Sequence, residues 1–277
     1  MRLTLISWLI IPVVLTSFVF SYFVKGIRET FGSDENIDLV SPKVEFDKTV
    51  IREKLVSGFE WNGEGVVTLM FDDAWLSQYE VAYPILNSRN IKASLAVPTD
   101  SIGEKNYMGW WHVEKLQYDG WEITSHTRSH TCEGEFDSYR LASEYLGSKI
   151  DLEGHKLYVE NFVAPCGVIT PETLEAVKKY YLSLRTSENG QNPIPVKNPY
   201  NIKTEVLNNL TTLDAVKKMI SKAKTERAWL ILAFHQIDSS GTKYAVTPEL
   251  FTQIVDEVEK SGLQIALPIQ VLTSSLH

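Results

Sequence analysis

The sequence predicts an α/β fold built on one parallel sheet, because short apolar runs alternate with helical patterns from Gly65 onward. Seven runs are predicted as strands, over residues 66–71, 93–97, 121–125, 161–164, 181–184, 229–234 and 263–268. Helices are predicted between them, over residues 78–90, 138–152, 171–180, 213–225 and 248–261. About 210 residues in this order either close into a barrel or remain an open, doubly wound sheet.

The composition is that of an ordinary globular protein with an excess of acidic residues. Of the 277 residues, 44% are hydrophobic and 22% charged, and the formal net charge is −8. Nucleic-acid binding depends mainly on Lys and Arg side chains that neutralise phosphates. The charge therefore argues against a nucleic-acid partner and favours a neutral or cationic one.

The N-terminus has the pattern of a membrane anchor. Residues 3–24 are apolar apart from hydroxyl groups, which is long enough to cross a bilayer, and bulky residues occupy the place of a cleavage site. We therefore predict an uncleaved anchor, rather than a signal peptide, over residues 1–28. A linker or peripheral segment is expected over 29–60 and a globular domain over 61–277.

The two cysteines, Cys132 and Cys166, are too few for a disulfide-rich scaffold or a thiolate zinc cluster. They can pair with each other in an oxidising compartment. We nevertheless expect two buried or half-buried thiols.

Acidic and imidazole side chains follow three of the predicted strands where each apolar run stops. Asp72 and Asp73 follow the first strand, His126 and His130 the third, and His235 the sixth. Because parallel strands end at a common edge, where α/β folds bind their ligands, these side chains are expected to meet there.

Each of these motifs also has a structural explanation when taken alone. The Asp pair fits a turn or helix cap, and a single histidine after a strand fits a structural role. Histidines four residues apart on a helical turn, as expected for His126 and His130, project from one face and can reach one metal ion. Together, two histidines and one aspartate predict a hydrolytic metal site, with an aspartate and a histidine left as base and acid.

Four segments carry a resemblance to a known family. They read Thr68-Leu-Met-Phe-Asp-Asp, Gly120-Trp-Glu-Ile-Thr-Ser-His-Thr-Arg-Ser-His, Phe162-Val-Ala-Pro-Cys-Gly and Leu230-Ile-Leu-Ala-Phe-His-Gln. From about Gly65 to Leu272 the chain resembles the polysaccharide deacetylases, carbohydrate esterases with a NodB-homology domain. Its motifs are most similar to those of the subgroup that resembles poly-N-acetylglucosamine deacetylases. The resemblance implies a distorted (β/α) barrel that removes acetyl groups from a sugar polymer outside the cytoplasm, membrane-anchored or, after cleavage, secreted.

The resemblance also implies a ligand set. Asp73, His126 and His130 would hold a divalent metal, with zinc the first choice and cobalt or nickel as alternatives. Asp72 would be the general base and His235 the general acid.

The third motif implies further roles and contains one departure from the family. The backbone N–H of Cys166, after Pro165, would stabilise the oxyanion. The position of a common family arginine is Val163, and we hypothesise that Arg185 supplies the missing positive charge. Ala74 stands where the family usually has glycine, and no Asp…Trp element is evident on the fourth loop.

Several side chains are candidates for contacts with the sugar. Pro165 would border the substrate, Trp75 and Trp110 would offer flat faces to pyranose rings, together with Tyr107 and Trp111, and Leu232 would wall the acetate pocket. Packing explains the tryptophans and the leucine equally well.

The predicted function is hydrolysis of N-acetyl groups on an amino-sugar polymer, either peptidoglycan or an exopolysaccharide. Alternatives are an esterase for O-acetylated sugars and a carbohydrate-binding pseudoenzyme, the latter motivated by Val163. Two histidines and a carboxylate also occur in Fe(II) oxygenases. The alternation of strands and helices and the second aspartate, Asp72, argue against that class.

Overall fold

The structure is a computed structural model that describes residues 47–132 and 137–274. The predicted anchor over 1–28, and the linker as far as residue 46, lie outside the described residues. Within the described ranges, no helix is both long and apolar enough to cross a membrane.

In the described part of the chain, eight strands pair in parallel in one sheet. They are β1 Val66–Phe71, β2 Ser94–Val97, β3 Glu122–Ser125, β4 Asn161–Val163, β5 Ser183–Arg185, β6 Glu205–Val206, β7 Trp229–Phe234 and β8 Gln264–Ile265. Their spatial order is β5-β4-β3-β2-β1-β7-β6, and β8 pairs with β1. The seven predicted strands are confirmed, whereas β6 was missed because two residues make no recognisable apolar run.

The sheet is curled rather than flat. The segment before β6 lies along β5, where the Ile202 amide donates to the Leu184 carbonyl and the Thr186 amide donates to the Ile202 carbonyl, at 3.0 and 2.9 Å. The same segment continues into β6, which pairs with β7. These contacts connect the two ends of the sheet, so the fold is a distorted half-barrel and not an open, doubly wound sheet.

Helices pack against the sheet, most of them on its outer face. They are α1 Lys48–Val56, α2 Tyr83–Asn87, α3 Trp110–Tyr118, α4 Ser138–Leu141, α5 Ser148–Gly154, α6 Pro171–Tyr180, α7 Leu213–Glu226, α8 Pro248–Ser261 and α9 Pro268–Ser274. Wider π-helical turns, Gln78–Ala82 and Ala142–Gly147, precede α2 and join α4 to α5. The predicted limits of α6 and α8 are confirmed, because Thr170 and Thr247 cap their first turns.

Strand alternation divides the core in two. Leu69, Leu230 and Leu232 belong to the large cluster that packs against the helices, whereas Met70 and Ile231 belong to a separate cluster on the enclosed face. Successive side chains of a strand point to opposite faces. Every second side chain of a strand therefore points to the enclosed face. The same alternation extends to the side chains that follow the carboxyl ends of the strands.

Candidate active site

The carboxyl ends of β1, β3, β5 and β7 surround an open cleft of about 590 Å³. The five residues predicted as metal ligands, base and acid all line this cleft, namely Asp72, Asp73, His126, His130 and His235. The prediction that they meet at one edge of the sheet is therefore confirmed. Arg185 and Tyr244 also line the cleft.

The two aspartates point differently because the backbone turns between them. The Asp72 amide continues the pairing with β7 by donating to the Phe234 carbonyl at 2.8 Å. Asp73 and Ala74 then adopt positive φ angles of 76° and 58°. This left-handed conformation disfavours residues with a Cβ, which gives a physical reason for glycine at the Ala74 position in other sequences.

His126 is oriented by a backbone carbonyl. Its Nδ1 lies 2.7 Å from the Val163 carbonyl oxygen, an acceptor only, so Nδ1 carries a proton and the neutral ring has its lone pair on Nε2. The following loop is irregular, with positive φ at Thr127 and His130. The expectation of a helical turn between the two histidines is therefore wrong, although both side chains still converge.

Three potential ligand atoms, one each from Asp73, His126 and His130, lie within 4.8 Å of one another. Asp73 Oδ1 is 3.4 Å from His126 Nε2 and 3.1 Å from His130 Nε2. This oxygen is buried and accepts no hydrogen bond from the described residues. Burial raises the pKa of Asp73, but the two imidazoles outweigh it and hold this pKa well below its ordinary value. A lone-pair nitrogen facing an unpartnered carboxylate oxygen fits a bound cation.

A network not anticipated from the sequence holds the His130 loop. Glu144 accepts hydrogen bonds from the amides of Arg128 and Ser129, at 3.1 and 2.9 Å, and from the Ser129 hydroxyl at 2.7 Å. The Arg128 guanidinium donates twice to Asp151, at 2.6 and 2.7 Å. A Cβ at Gly147 would lie 2.6 Å from the guanidinium carbon, so a larger residue there would displace the Arg128 side chain.

Asp72 is paired with Arg185, as hypothesised from the sequence. The Arg185 Nη2 group donates to both carboxylate oxygens, and the two side chains are almost fully buried. Burial raises the pKa of Asp72, but the Arg185 guanidinium and the imidazoles of His235 and His126 together outweigh it and leave this pKa below its ordinary value. The positive charge beside Asp72 therefore comes from Arg185 at the end of β5. Val163 contributes its backbone carbonyl oxygen to His126 and no charge.

His235 lies across the cleft from both aspartates. Its Nε2 is 4.0 Å from Asp72 Oδ2 and 3.9 Å from Asp73 Oδ2, and Tyr244 stacks on its ring at 4.8 Å. The fully buried Gln78 side chain donates to the backbone carbonyls of Asp72 and His235, at 2.6 and 2.9 Å. Gln78 thus ties the ends of β1 and β7 together, a role that no sequence signal revealed.

The cysteines do not remain thiols. Cys132 and Cys166 are joined by a disulfide with a Cα–Cα distance of 5.4 Å, which corrects the expectation of free thiols. Cys166 has a positive φ of 54° in the turn Pro165–Gly167. No acceptor within the described residues bonds to its backbone N–H, which is therefore available to a ligand at the cleft.

The candidate sugar contacts are only partly brought to the cleft. Trp75 lies beside it, stacking on Tyr107 at 4.4 Å and donating its indole N–H to Asp73 Oδ2 at 3.1 Å. Trp110 does not line the cleft and instead stacks on His155 at 3.7 Å. Pro165 is buried at the start of its turn.

Leu232 does not reach the cleft either. It packs in the cluster that faces the helices, three residues before His235 and on the opposite face of β7. Ala233, two residues before His235, points to the enclosed face of the sheet, as a residue in the wall of an acetate pocket would have to. The assignment of Leu232 to the acetate pocket is corrected accordingly.

The fold and the site define a class of protein: a curled α/β barrel with a carboxylate–histidine cluster suited to metal-assisted hydrolysis. Residues 61–184 match the family model for polysaccharide deacetylase. YxkH of Bacillus subtilis, which bears the name of a polysaccharide deacetylase, is 29% identical over 118 residues. The matched segment covers 42% of this chain and 42% of that protein.

Solved structures share the fold. The Xyl-CE4 domain of a xylanase from a Trinervitermes trinervoides hindgut metagenome has 14% identity and a TM-score of 0.54, over 76% of this chain and 90% of that one. A CE4 family pseudoenzyme from Bacillus anthracis has 13% identity and a TM-score of 0.54, over 76% and 66%. Such low identities show the fold alone. The poly-N-acetylglucosamine subgroup is not distinguished by them and stays a prediction.

Proposed function

We propose that this protein is a metal-dependent hydrolase that removes N-acetyl groups from an amino-sugar polysaccharide, either peptidoglycan or an exopolysaccharide. The observation that carries the proposal is the convergence of Asp73, His126 and His130 within 4.8 Å, with Asp72 and His235 across the same cleft. A ligand set with an adjacent acid and base is what amide hydrolysis requires.

The three converging side chains would hold the metal. The His126 ring is kept in place by the Val163 carbonyl, and its Nε2 is free to ligate, as is the unpartnered Asp73 Oδ1. A divalent cation bound there, zinc as first choice with cobalt or nickel as alternatives, would polarise the acetyl carbonyl and the attacking water.

Asp72 would act as the general base. The Arg185 guanidinium favours its ionised carboxylate, because it and the nearby imidazoles together lower the pKa of Asp72 against the effect of burial. An ionised carboxylate can accept the proton of the attacking water. Arg185 would thus act through Asp72, as a positioning residue.

His235 would act as the general acid. Its Nε2 lies 4.0 Å from Asp72 Oδ2 and both side chains line the same cleft, so base and acid can reach the same bound amide. An amine is a poor leaving group unless it is protonated as the bond breaks. The Cys166 N–H, left without a protein acceptor among the described residues, would donate to the oxygen that becomes negative.

The location of the reaction is part of the proposal. The Cys132–Cys166 disulfide supports an oxidising compartment, which agrees with a domain facing outward from the membrane. An acetylated polymer of the cell envelope would be accessible to such a domain. The anchoring role of residues 1–28 remains a prediction from the sequence.

Acetate release from acetylated chitooligosaccharides tests the proposal. We expect the full-length protein to release acetate with zinc or cobalt, to lose activity after chelation, and to lose at least 100-fold in the Asp72→Asn variant. The exposed Asp214→Asn change is the matched control. A folded, metal-loaded protein that releases no acetate from these substrates or peptidoglycan contradicts the proposal, whereas release from acetylated xylan alone indicates the O-acetyl esterase alternative.

A carbohydrate-binding role without turnover is the second candidate. It is favoured by one observation, the buried Nδ1 of His235, which has no hydrogen-bond partner among the described residues and so lacks an orienting group. Binding of chitooligosaccharides, measured by calorimetry, without acetate release would establish this role. Binding accompanied by release would exclude it.

A further inference from the structure

The disulfide joins two loops that both border the cleft. Cys132 lies two residues after His130 on the loop that follows β3, and Cys166 lies on the turn that follows β4. Cys166 is exposed and Cys132 is half-buried, so the bond is accessible from solvent. A dithiol could therefore reach it without unfolding the domain.

The two sulfur atoms and one ring nitrogen of His130 lie within 4.8 Å of one another. Two thiolates and an imidazole are the ligands that zinc and other thiophilic cations prefer. We propose that reduction of the Cys132–Cys166 disulfide creates a second metal site, formed by Cys132, Cys166 and His130, which binds a thiophilic divalent cation such as Zn²⁺ or Cd²⁺.

The chemical balance is that of thiol–disulfide exchange. A dithiol reductant supplies two electrons and two protons to the sulfur–sulfur bond and is itself converted to a disulfide. The two protein thiols then release their protons to solvent when they bind the cation as thiolates. No other oxidant or reductant takes part.

The second site shares His130 with the set formed by Asp73, His126 and His130. A neutral imidazole has one unprotonated nitrogen, so His130 can serve only one cation at a time. Reduction would therefore withdraw His130 from the hydrolytic set, and the intact disulfide reserves it for that set. This competition rests on the proposed function, whereas the thiolate site does not.

Cobalt binding to the full-length protein tests the thiolate site directly. The folded protein is incubated under nitrogen with or without a dithiol, the dithiol is removed, the free thiols are counted, and Co²⁺ is added. We expect thiolate-to-cobalt charge-transfer absorption from the reduced protein and none from the oxidised protein. A reduced protein that has two free thiols but shows no such band, or that unfolds on reduction, overturns the proposal.

Variants separate the two sites without an activity assay. In the reduced protein, Cys132→Ser should halve the charge-transfer absorption per bound Co²⁺, and His130→Ala should weaken Co²⁺ binding about 10-fold while the band persists. Asp73→Asn should leave the band unchanged in the reduced protein and abolish Co²⁺ binding in the oxidised one. If Asp73→Asn also removes the band, the thiolate set is not an independent site. If Asp73→Asn changes Co²⁺ binding in neither the oxidised nor the reduced protein, and the charge-transfer band of the reduced protein remains, only the proposed function fails.

Discussion

The Arg185 guanidinium donates to both carboxylate oxygens of Asp72, although the two residues are 113 positions apart in the chain. Arg185 ends β5 and Asp72 follows β1, and three strands lie between them in the sheet order. Only the curl of the sheet brings the two side chains together. Both are buried, so neither charge can be compensated by water if its partner is removed.

We expect Arg185→Ala to lower the free energy of unfolding by about 3–5 kcal/mol, because it leaves the Asp72 carboxylate buried without a partner. Adding Asp72→Asn should recover part of this loss. Urea unfolding of the chelated protein measures both variants. Arg89→Ala, which breaks a more exposed pair with Asp256, is the control and should cost about 1 kcal/mol or less. Equal losses in the two arginine variants would contradict the prediction.

Metal binding should stabilise the wild-type protein through Asp73. At a metal concentration about 100 times Kd, the free energy of unfolding should rise by about 2.7 kcal/mol and fall back after chelation. Asp73→Asn should abolish this rise because it removes the negative charge of the carboxylate whose Oδ1 is unpartnered among the described residues. Thermal unfolding with and without zinc is the measurement. An Asp73→Asn protein that zinc stabilises as much as wild type would place the metal elsewhere.

Glu144 should control metal affinity although it does not touch the ligand atoms. It holds the loop of His130 through two backbone amides and the Ser129 hydroxyl. We expect Glu144→Gln to weaken zinc binding about 10-fold, as is usual for groups that orient a metal ligand. Competition with a chromophoric chelator measures the affinity. Glu175→Gln, an exposed change on α6, should leave it unaltered, and an unaltered affinity in Glu144→Gln as well would exclude the positioning role.

Glu122 should make stability depend on pH. Burial raises the pKa of this carboxyl from 4.5 to about 7, although hydrogen bonds from the Ile269 amide and Asn161 lower it. The folded state thus binds the proton more tightly than the unfolded state. Stability is fully present below the unfolded pKa and should fall by about 3 kcal/mol as the pH rises from about 5 to about 8.

The Glu122→Gln variant isolates this effect, because glutamine has the same shape and does not titrate. Urea unfolding of both proteins across the pH series should show the fall in the wild type and a flatter curve in the variant. Parallel curves would mean that Glu122 does not titrate in this window.

Leu232 should contribute to stability and not to substrate binding. It packs against the helices, so Leu232→Ala should cost about 2–5 kcal/mol while the KM for acetylated oligosaccharides stays unchanged. Leu230→Ala, on the same face of β7, is the matched control and should behave alike. A higher KM in Leu232→Ala alone would restore this residue to the acetate pocket.

Local patterns were sufficient for most of the strands and helices. Apolar runs identify β1 and β7 because buried parallel strands are apolar on both faces. Thr–Pro pairs place the starts of α6 and α8 because capping depends only on neighbouring residues. Alternation would also have excluded Leu232, since a residue three positions before His235 points to the other face of the strand.

Other features needed the folded chain. Trp110 stacks on His155 instead of bordering the cleft, and nothing in the sequence links these two residues. The loop between His126 and His130 is irregular because two of its residues have positive φ, which the spacing of the histidines does not show. The segment Glu205–Val206 is a strand only because β7 pairs with it.

Motifs at the ends of predicted strands were enough to predict that Asp72, Asp73, His126, His130 and His235 would meet, because parallel strands present their carboxyl ends at one edge. What holds these groups in place became visible only in the folded chain. The Arg185–Asp72 pair, the Cys132–Cys166 disulfide and the Gln78 bonds to the strand ends join residues far apart in the chain. Such contacts depend on how the sheet curls, a property of the whole barrel that no short stretch of sequence encodes.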